Sequence, residues 1–213
     1  MNKEWSDLNK KFQNEISKKA TFNDGINTLL ELRSLLFKQV KRYGHLDEEK
    51  LATIAYPFRT GYDSKSIAYS IYHIARIEDL VLNTLILKVE PIFIWYKDLL
   101  NLTITTTGNE LSGEKLEEFS HKINKRNLFD YIDEVYHTTN KYLLSLTYED
   151  LKIKFILEDK ERLLNSGTVH CDYIELIDYW SSRNIKGLLQ MPFSRHWIMH
   201  IEACERIKVK MGE

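Results

Sequence analysis

Helix-breaking residues are scarce in this sequence, and their scarcity constrains the fold more than any other feature. Only 8 glycines and 3 prolines occur among 213 residues. Both residue types are unfavourable inside a helix, so long stretches without them favour an all-helical chain. Hydrophobic residues make up 43% of the sequence, which is enough for a sizeable core. Because no repeat or low-complexity linker divides the chain, we predict an all-α protein with a single domain over residues 1–213.

Apolar residues recur at spacings of three and four along most of the chain, as they do on the buried face of a helix. The first such stripe predicts a helix at 3–19, which belongs to an N-terminal extension over 1–22. Further helices are predicted at 24–43, 46–55, 66–87, 92–100, 112–145, 148–164, 171–189 and 192–211, with a loop at 101–113.

Charge and cysteine content exclude several classes of protein. The formal net charge is −1, so the chain lacks the basic excess that binding to a phosphate backbone requires. Two cysteines, Cys171 and Cys204, provide no disulfide framework and favour a reducing compartment. No apolar signal-peptide region and no membrane-length apolar run is found. We expect a cytoplasmic protein with no nucleic-acid or membrane partner.

Three histidines are predicted to face the interior of the protein. His196 and His200 are four residues apart and therefore share one face of the last predicted helix, together with apolar Ala203. His73 is predicted to point inward from the helix at 66–87. Buried imidazoles need partners, and a shared metal ion would satisfy all three. Catalytic zinc sites commonly use three protein ligands and leave one position for water or substrate.

Each of these residues also has a simpler interpretation. His73 alone is best explained as a core histidine with a hydrogen-bond partner, and a pair with the spacing of His196 and His200 also arises by chance. Cys204 lies one turn beyond His200 and could be a fourth ligand or a redox-sensitive neighbour of the site. The simpler interpretation is a buried small hydrophobic residue, as free cysteines usually are. Three inward-facing histidines are nevertheless the right count for an open metal site.

Charged residues near His73 have open roles. Arg76 is predicted to reach the same cavity, where it acts either as a clamp for a substrate carboxylate or as an ion-pair partner of Glu78 or Glu202. Glu78 and Asp79 project away from His73, which favours a solvated or supporting role. Three further histidines have no partner at ligand spacing and are predicted at the surface: His45, His121 and His137. His170 is adjacent to Cys171, but neighbouring residues on a helix do not face the same way, so we expect His170 in a helix cap or at the surface.

Two motifs resemble those of the DinB/YfiT superfamily of small bacterial metalloproteins: YHIARIED at 72–79 and MPFSRHWIMH at 191–200. The resemblance implies an up-down-down-up four-helix bundle, with helices here at about 24–43, 64–88, 113–145 and 192–211. It also implies a divalent metal ion, usually zinc or nickel, held by His73, His196 and His200. Residues 148–190 are additional helices inserted before the last helix of this pattern.

The resemblance also implies a class of function. Characterised relatives include thiol-dependent enzymes, namely bacillithiol S-transferases and a mycothiol-dependent maleylpyruvate isomerase, and homodimers are frequent. We therefore expect a homodimeric metal-dependent enzyme that acts on a small molecule, such as a low-molecular-weight-thiol S-transferase or a related hydrolase or isomerase. Arg76 is the candidate catalytic residue. The alternative is a non-catalytic bundle that a metal stabilises or that binds a partner protein. A DNA-binding function is disfavoured by the near-neutral charge.

Overall fold

The computed structural model describes residues 2–102 and 104–213, and these residues form helices and loops with no β-strand. Met1 and Thr103, which belong to the predicted N-terminal extension and the predicted loop at 101–113, lie outside the described residues. The helices are α1 (Lys3–Glu15), α2 (Phe22–Tyr43), α3 (Glu48–Ala52), α4 (Ile67–Asp79), α5 (Phe93–Tyr96), α6 (Gly113–Lys122), α7 (Lys125–Ser145), α8 (Leu157–Asn165), α9 (Glu175–Ser181), α10 (Ile185–Gln190) and α11 (His196–Met211). The all-α prediction is confirmed.

Two segments of wider, π-helical geometry extend the helices. Leu80–Leu87 continues α4, and Met191–Arg195 leads into α11. Single turns of 3₁₀-helix lie at Lys19–Thr21, Gly61–Ser64, Glu149–Lys152 and Cys171–Tyr173. None of the described helices combines the length and the apolar character that a membrane crossing needs.

The prediction of one helix over 112–145 is wrong. The backbone becomes extended at Ile123, where ψ is 128°, and this ends α6. Asn124 then starts α7 as its N-cap, with its side-chain oxygen accepting a hydrogen bond from the Asn127 N–H at 3.0 Å. Asparagine is one of the residues that best satisfy the free N–H groups of a new helix. The local cap therefore overrides the continuous helical pattern.

The predicted helices at 148–164 and 171–189 are also interrupted. Residues 153–156 are not helical, and Lys154 forms an isolated antiparallel bridge with Asn184. Asn184 in turn caps α10 by accepting a hydrogen bond from the Gly187 N–H at 3.0 Å. The inserted segment is thus a set of short helices, α8 to α10, folded back on itself.

Four long helices, α2, α4, α7 and α11, pack against one another around the interior. Side-chain pairs give their relative directions. In α2 and α7, Arg33 contacts Asn140 and Lys41 contacts Asp133, so these two helices are antiparallel. In α2 and α11, the Arg33 side chain binds the Phe193 carbonyl just before α11, and further along α2 the Tyr43 hydroxyl binds Glu205, so these two helices are parallel.

The direction of α4 follows from its contacts with α11. Asp63, just before α4, pairs with Arg206 near the end of α11, with an Nη2–Oδ1 distance of 2.7 Å. Glu78, near the end of α4, accepts a hydrogen bond from the Trp197 indole at the start of α11. These two helices are therefore antiparallel, and their facing positions bring the middle of α4 close to the first turns of α11.

A buried ion pair connects the four long helices. Arg33 and Glu78 have fully buried side chains and form two hydrogen bonds, at 2.6 and 2.9 Å. The same guanidinium donates to the Asn140 side chain at 2.8 Å and to the Phe193 carbonyl at 2.9 Å, and the Trp197 indole donates to Glu78 at 2.6 Å. All four helices thus contribute to one network in which the buried charges are paired and hydrogen-bonded.

We expect Arg33→Met to destabilise the protein strongly. The substitution leaves the Glu78 carboxylate buried without its counter-charge, which typically costs about 3 to 5 kcal/mol. Urea unfolding monitored by circular dichroism measures the change in the free energy of unfolding. Arg126→Met is the matched control, because the Arg126 side chain is 91% exposed, and surface changes of this kind usually stay within about 0.5 kcal/mol. Equal stability of the two variants would contradict the assigned role of the ion pair.

Candidate metal centre

The structure brings His73, His196 and His200 together. His73 lies in α4, and the other two lie in the first two turns of α11. All three side chains are buried, and a ligand atom from each lies within 4.8 Å of those of the other two. The ring centroids are 4.7 to 5.2 Å apart. The three imidazoles are therefore positioned to bind one metal ion.

Local sequence features place these histidines. Ser66 caps α4 by accepting a hydrogen bond from the Tyr69 N–H at 3.0 Å, which fixes the start of the helix two turns before His73. Pro192 lies at the start of the π-helical turn before His196, where a missing N–H is tolerated. In that turn the Ser194 hydroxyl donates to the Leu189 carbonyl at 2.8 Å. Wider helical turns of this kind are frequent at functional sites.

A backbone carbonyl orients His73. Its Nδ1 lies 2.7 Å from the Thr107 carbonyl oxygen. A carbonyl oxygen only accepts hydrogen bonds, so Nδ1 carries the proton and Nε2 carries the lone pair. Burial lowers the pKa of His73 to about 4, so the ring is neutral at neutral pH. Histidine ligands of metals usually donate their second ring N–H to a group of this kind.

His196 and His200 have buried nitrogens that lack partners. Within the described part of the chain, Nδ1 of His196 and both ring nitrogens of His200 have no hydrogen-bond partner. Burial, followed by the neighbouring imidazoles, holds the pKa of both rings well below the usual value, so both are neutral. A buried polar group without a partner is costly, and a metal ion would provide one. Imidazole nitrogen suits zinc, nickel and copper.

The three histidines line a cavity of about 520 Å³. On one side the cavity is bounded by the segment before α4, where the Tyr62 ring lies 4.6 Å from that of His200. On the other side it is bounded by α9, through Leu176, Tyr179 and Trp180. The inserted segment thus forms part of the wall of the site. A volume of this size accommodates a small organic molecule.

Arg76 does not line this cavity. Its side chain is fully buried, and it donates to the Thr105 carbonyl at 2.7 Å and lies 3.6 Å from the centroid of the Phe93 ring. Its ion-pair partner is Asp79, at 3.9 Å, rather than the expected Glu78 or Glu202. A role for Arg76 as a clamp that contacts a substrate in the cavity does not fit this position.

Of the two roles left open for Glu78 and Asp79, solvated or supporting, the structure excludes the solvated one. Both are fully buried. Glu78 belongs to the ion pair with Arg33. Asp79 accepts hydrogen bonds at 2.7 to 2.9 Å from the backbone N–H groups of Ile92 and Phe93 and from the side chains of Asn83 and Tyr131. These carboxylates fix the packing of α4 against its neighbours.

The loop predicted at 101–113 supports His73, a role that was not predicted from the sequence. Three consecutive carbonyls, of residues 105–107, accept hydrogen bonds from Arg76, Tyr72 and His73 respectively, at 2.6 to 2.7 Å. The backbone N–H of Thr107 also binds the Thr168 carbonyl of the inserted segment at 2.8 Å. Backbone acceptors have no side-chain signature, so no motif could have identified them.

The remaining candidates lie outside the cavity. Cys204 is buried and does not line the cavity, and burial raises the pKa of its thiol to about 12, which fits a small hydrophobe better than a fourth ligand. His170 caps the turn at Cys171–Tyr173 by accepting a hydrogen bond from the Asp172 N–H. As predicted, three histidines are exposed: His45, His121 and His137.

A scan against models of known protein families and a search of curated proteins found no match to this chain. The resemblance to the DinB/YfiT superfamily therefore rests on the two sequence motifs quoted above. The three-histidine geometry stands independently of that resemblance, because it is read directly from the positions of the side chains.

We expect Arg76→Met to weaken zinc binding although Arg76 does not touch the site. The variant loses the hydrogen bond that fixes the loop carrying the Thr107 carbonyl, and supporting contacts of this kind typically change metal affinity by about 10- to 100-fold. Competition with a chromophoric chelator measures the affinity. Arg76→Lys, which retains a donor for Thr105, should recover part of the loss, and Arg126→Met should bind zinc as the wild type does. Wild-type affinity in Arg76→Met would show that the loop does not orient His73.

Proposed function

We propose that this protein binds a divalent metal ion, zinc or nickel, through His73, His196 and His200, and that it is a metal-dependent enzyme. The observation that carries the proposal is the set of buried imidazole nitrogens without partners beside a cavity of about 520 Å³. Structural metal sites are usually closed by protein ligands, whereas catalytic sites keep a position open to water or substrate. An adjoining cavity favours the catalytic kind.

The reaction we favour is transfer of a low-molecular-weight thiol to a small electrophile, with a related hydrolysis or isomerisation as variants. A divalent ion in this site would act as a Lewis acid that favours the thiolate over the thiol at neutral pH. The Thr107 carbonyl holds the neutral His73 imidazole in place, and Leu176, Tyr179 and Trp180 form part of the cavity wall.

We also infer that α2, α4, α7 and α11 form an up-down-down-up bundle of the DinB type. The parallel pair α2 and α11, and the antiparallel pairs of α2 with α7 and α4 with α11, support this arrangement. The superfamily resemblance further leads us to propose a cytoplasmic homodimer whose partners are small molecules. The near-neutral charge of the chain gives no support for a nucleic-acid partner.

A non-catalytic role is the second candidate. The ligands come from two helices, α4 and α11, so a metal ion would also join these helices and stabilise the fold. In that case the ion would raise the melting temperature without supporting a reaction. The enzyme and the non-catalytic bundle would use the same three metal ligands, but only the enzyme would catalyse a reaction.

We expect untagged wild-type protein to contain about one zinc or nickel ion per chain, and His73→Ala to contain none, because two imidazoles do not complete the site. Elemental analysis measures the content, and the absence of a His-tag prevents a false count. His137→Ala is the matched control, since the His137 side chain is 67% exposed and does not line the cavity. Full metal content in His73→Ala would contradict the ligand assignment.

We expect the metal-loaded protein to accelerate conjugation of a small thiol, such as cysteine, glutathione or bacillithiol, with monochlorobimane. The increase in bimane fluorescence measures the rate. His196→Ala should fall to the uncatalysed rate, because it loses the metal, while His137→Ala should keep the full rate. Stoichiometric metal binding without acceleration for any thiol tested would favour the non-catalytic candidate.

A further inference from the structure

Lys65 is a half-buried cation at the edge of the metal centre. It lines the same cavity as His73 and His200, and its charge helps to lower the pKa of both of these histidines. Its ammonium group donates one hydrogen bond to the Leu111 carbonyl, at 2.5 Å, and lies 4.8 Å from the centroid of the Tyr69 ring. An ammonium group has three N–H donors, so two remain available.

No carboxylate neutralises this charge at close range in the described part of the chain. Lys65 forms no ion pair there, and Glu110, whose charge acts on it, accepts a hydrogen bond from the Thr106 hydroxyl instead. The other cation at the cavity differs, because Arg59 pairs with Asp63, with an Nη1–Oδ2 distance of 3.2 Å. Among the described residues that line the cavity there is no Asp or Glu.

Lys65 therefore lies in a partly desolvated position with no ion-pair partner among the described residues. Burial lowers the pKa of Lys65, which reflects the cost of keeping the ammonium charged there. An anion bound next to it would offset this cost. Buried cations in proteins are usually paired.

Part of the cavity lining is apolar. Leu176 and Trp180 of α9 contribute to it, as do Met191 and Pro192 of the π-helical turn. Cavities of this composition bind molecules with an apolar body, and a few polar groups fix the orientation of the ligand. A cation without an ion-pair partner among the described residues, together with apolar lining residues beside the three histidines, favours a ligand with one anionic end and one apolar end.

We propose that Lys65 binds the carboxylate of an amphipathic organic acid, whose apolar part packs against α9. A single ammonium with two available donors suits a singly charged carboxylate better than a doubly charged phosphate. That this acid is the electrophilic substrate of the thiol transfer rests on the proposed function. Its binding beside Lys65 does not, because Lys65 is present with or without a metal ion.

The test uses the full-length protein stripped of metal, so that a carboxylate cannot bind through a metal ion. Isothermal titration calorimetry with 3-phenylpropionate and its neutral isostere 3-phenylpropionamide measures the preference for the charged group. We expect wild-type protein to bind the acid about tenfold more tightly than the amide, as one added ionic contact of about 1.4 kcal/mol would give. Lys65→Gln, which keeps a donor for Leu111, should bind both probes equally.

Three further variants keep the result interpretable. Lys65→Met is a second neutral variant, Lys65→Arg should retain the preference for the acid, and Lys115→Met removes an exposed lysine that does not line the cavity and should behave as wild type. Equal binding of acid and amide by wild-type protein, or a preference that persists in Lys65→Gln and Lys65→Met, would overturn the proposal.

Zinc and nickel content, measured on the same wild-type and variant proteins before the metal is stripped, separates the two proposals. Lys65→Gln should still contain one metal ion per chain, since Lys65 is not a ligand. A wild-type protein that prefers the acid but binds neither zinc nor nickel would support the carboxylate site and contradict the metal-dependent function. A protein that binds zinc but shows no preference for the acid would support the metal site and contradict the carboxylate site.

Discussion

The buried ion pair between Arg33 and Glu78 is the interaction on which the rest of the structure depends. Taking both charges out of water is costly, and the cost is offset because all three guanidinium nitrogens and both carboxylate oxygens form hydrogen bonds. Asn140, the Phe193 carbonyl and the Trp197 indole complete the network. Few alternative packings of the four long helices would satisfy these groups at once, so the pair favours one alignment over others.

That alignment also determines the geometry of the metal centre. Glu78 follows His73 by five residues in α4, and Trp197 directly follows His196 in α11. The hydrogen bond between Glu78 and Trp197 therefore fixes how far α11 is shifted along α4, and with it the positions of the imidazoles. Functional sites need ligands held to within about 0.5 Å, which helices packed in a fixed alignment can provide. The stability of the core and the precision of the site have the same physical origin.

The grouping of the three histidines was predicted from the sequence more accurately than the contacts around them, for a physical reason. Helical periodicity gives the direction in which a side chain points from its own helix axis, and this was sufficient for His73, His196 and His200. It does not tell which group from another helix lies opposite. Arg76 was therefore assigned to the cavity although it binds a backbone carbonyl, and the role of Glu78 was left open between solvated and supporting because its partner Arg33 could not be identified. Such long-range partners follow from packing, which a single helical pattern does not contain.

The histidines and the cavity wall come from different parts of the chain. The three ligands belong to the long helices, whose alignment is constrained by the buried ion pair, whereas Tyr179 and Trp180 belong to an inserted segment of short helices. Thr168 of that segment nevertheless binds the backbone of Thr107, whose carbonyl orients His73. A change in the insertion can therefore alter which molecules fit the cavity, and through this contact it can also alter the orientation of one ligand. A substitution in the inserted segment can therefore change which molecules fit the cavity without disturbing His73 only if it preserves the hydrogen bond between Thr168 and Thr107.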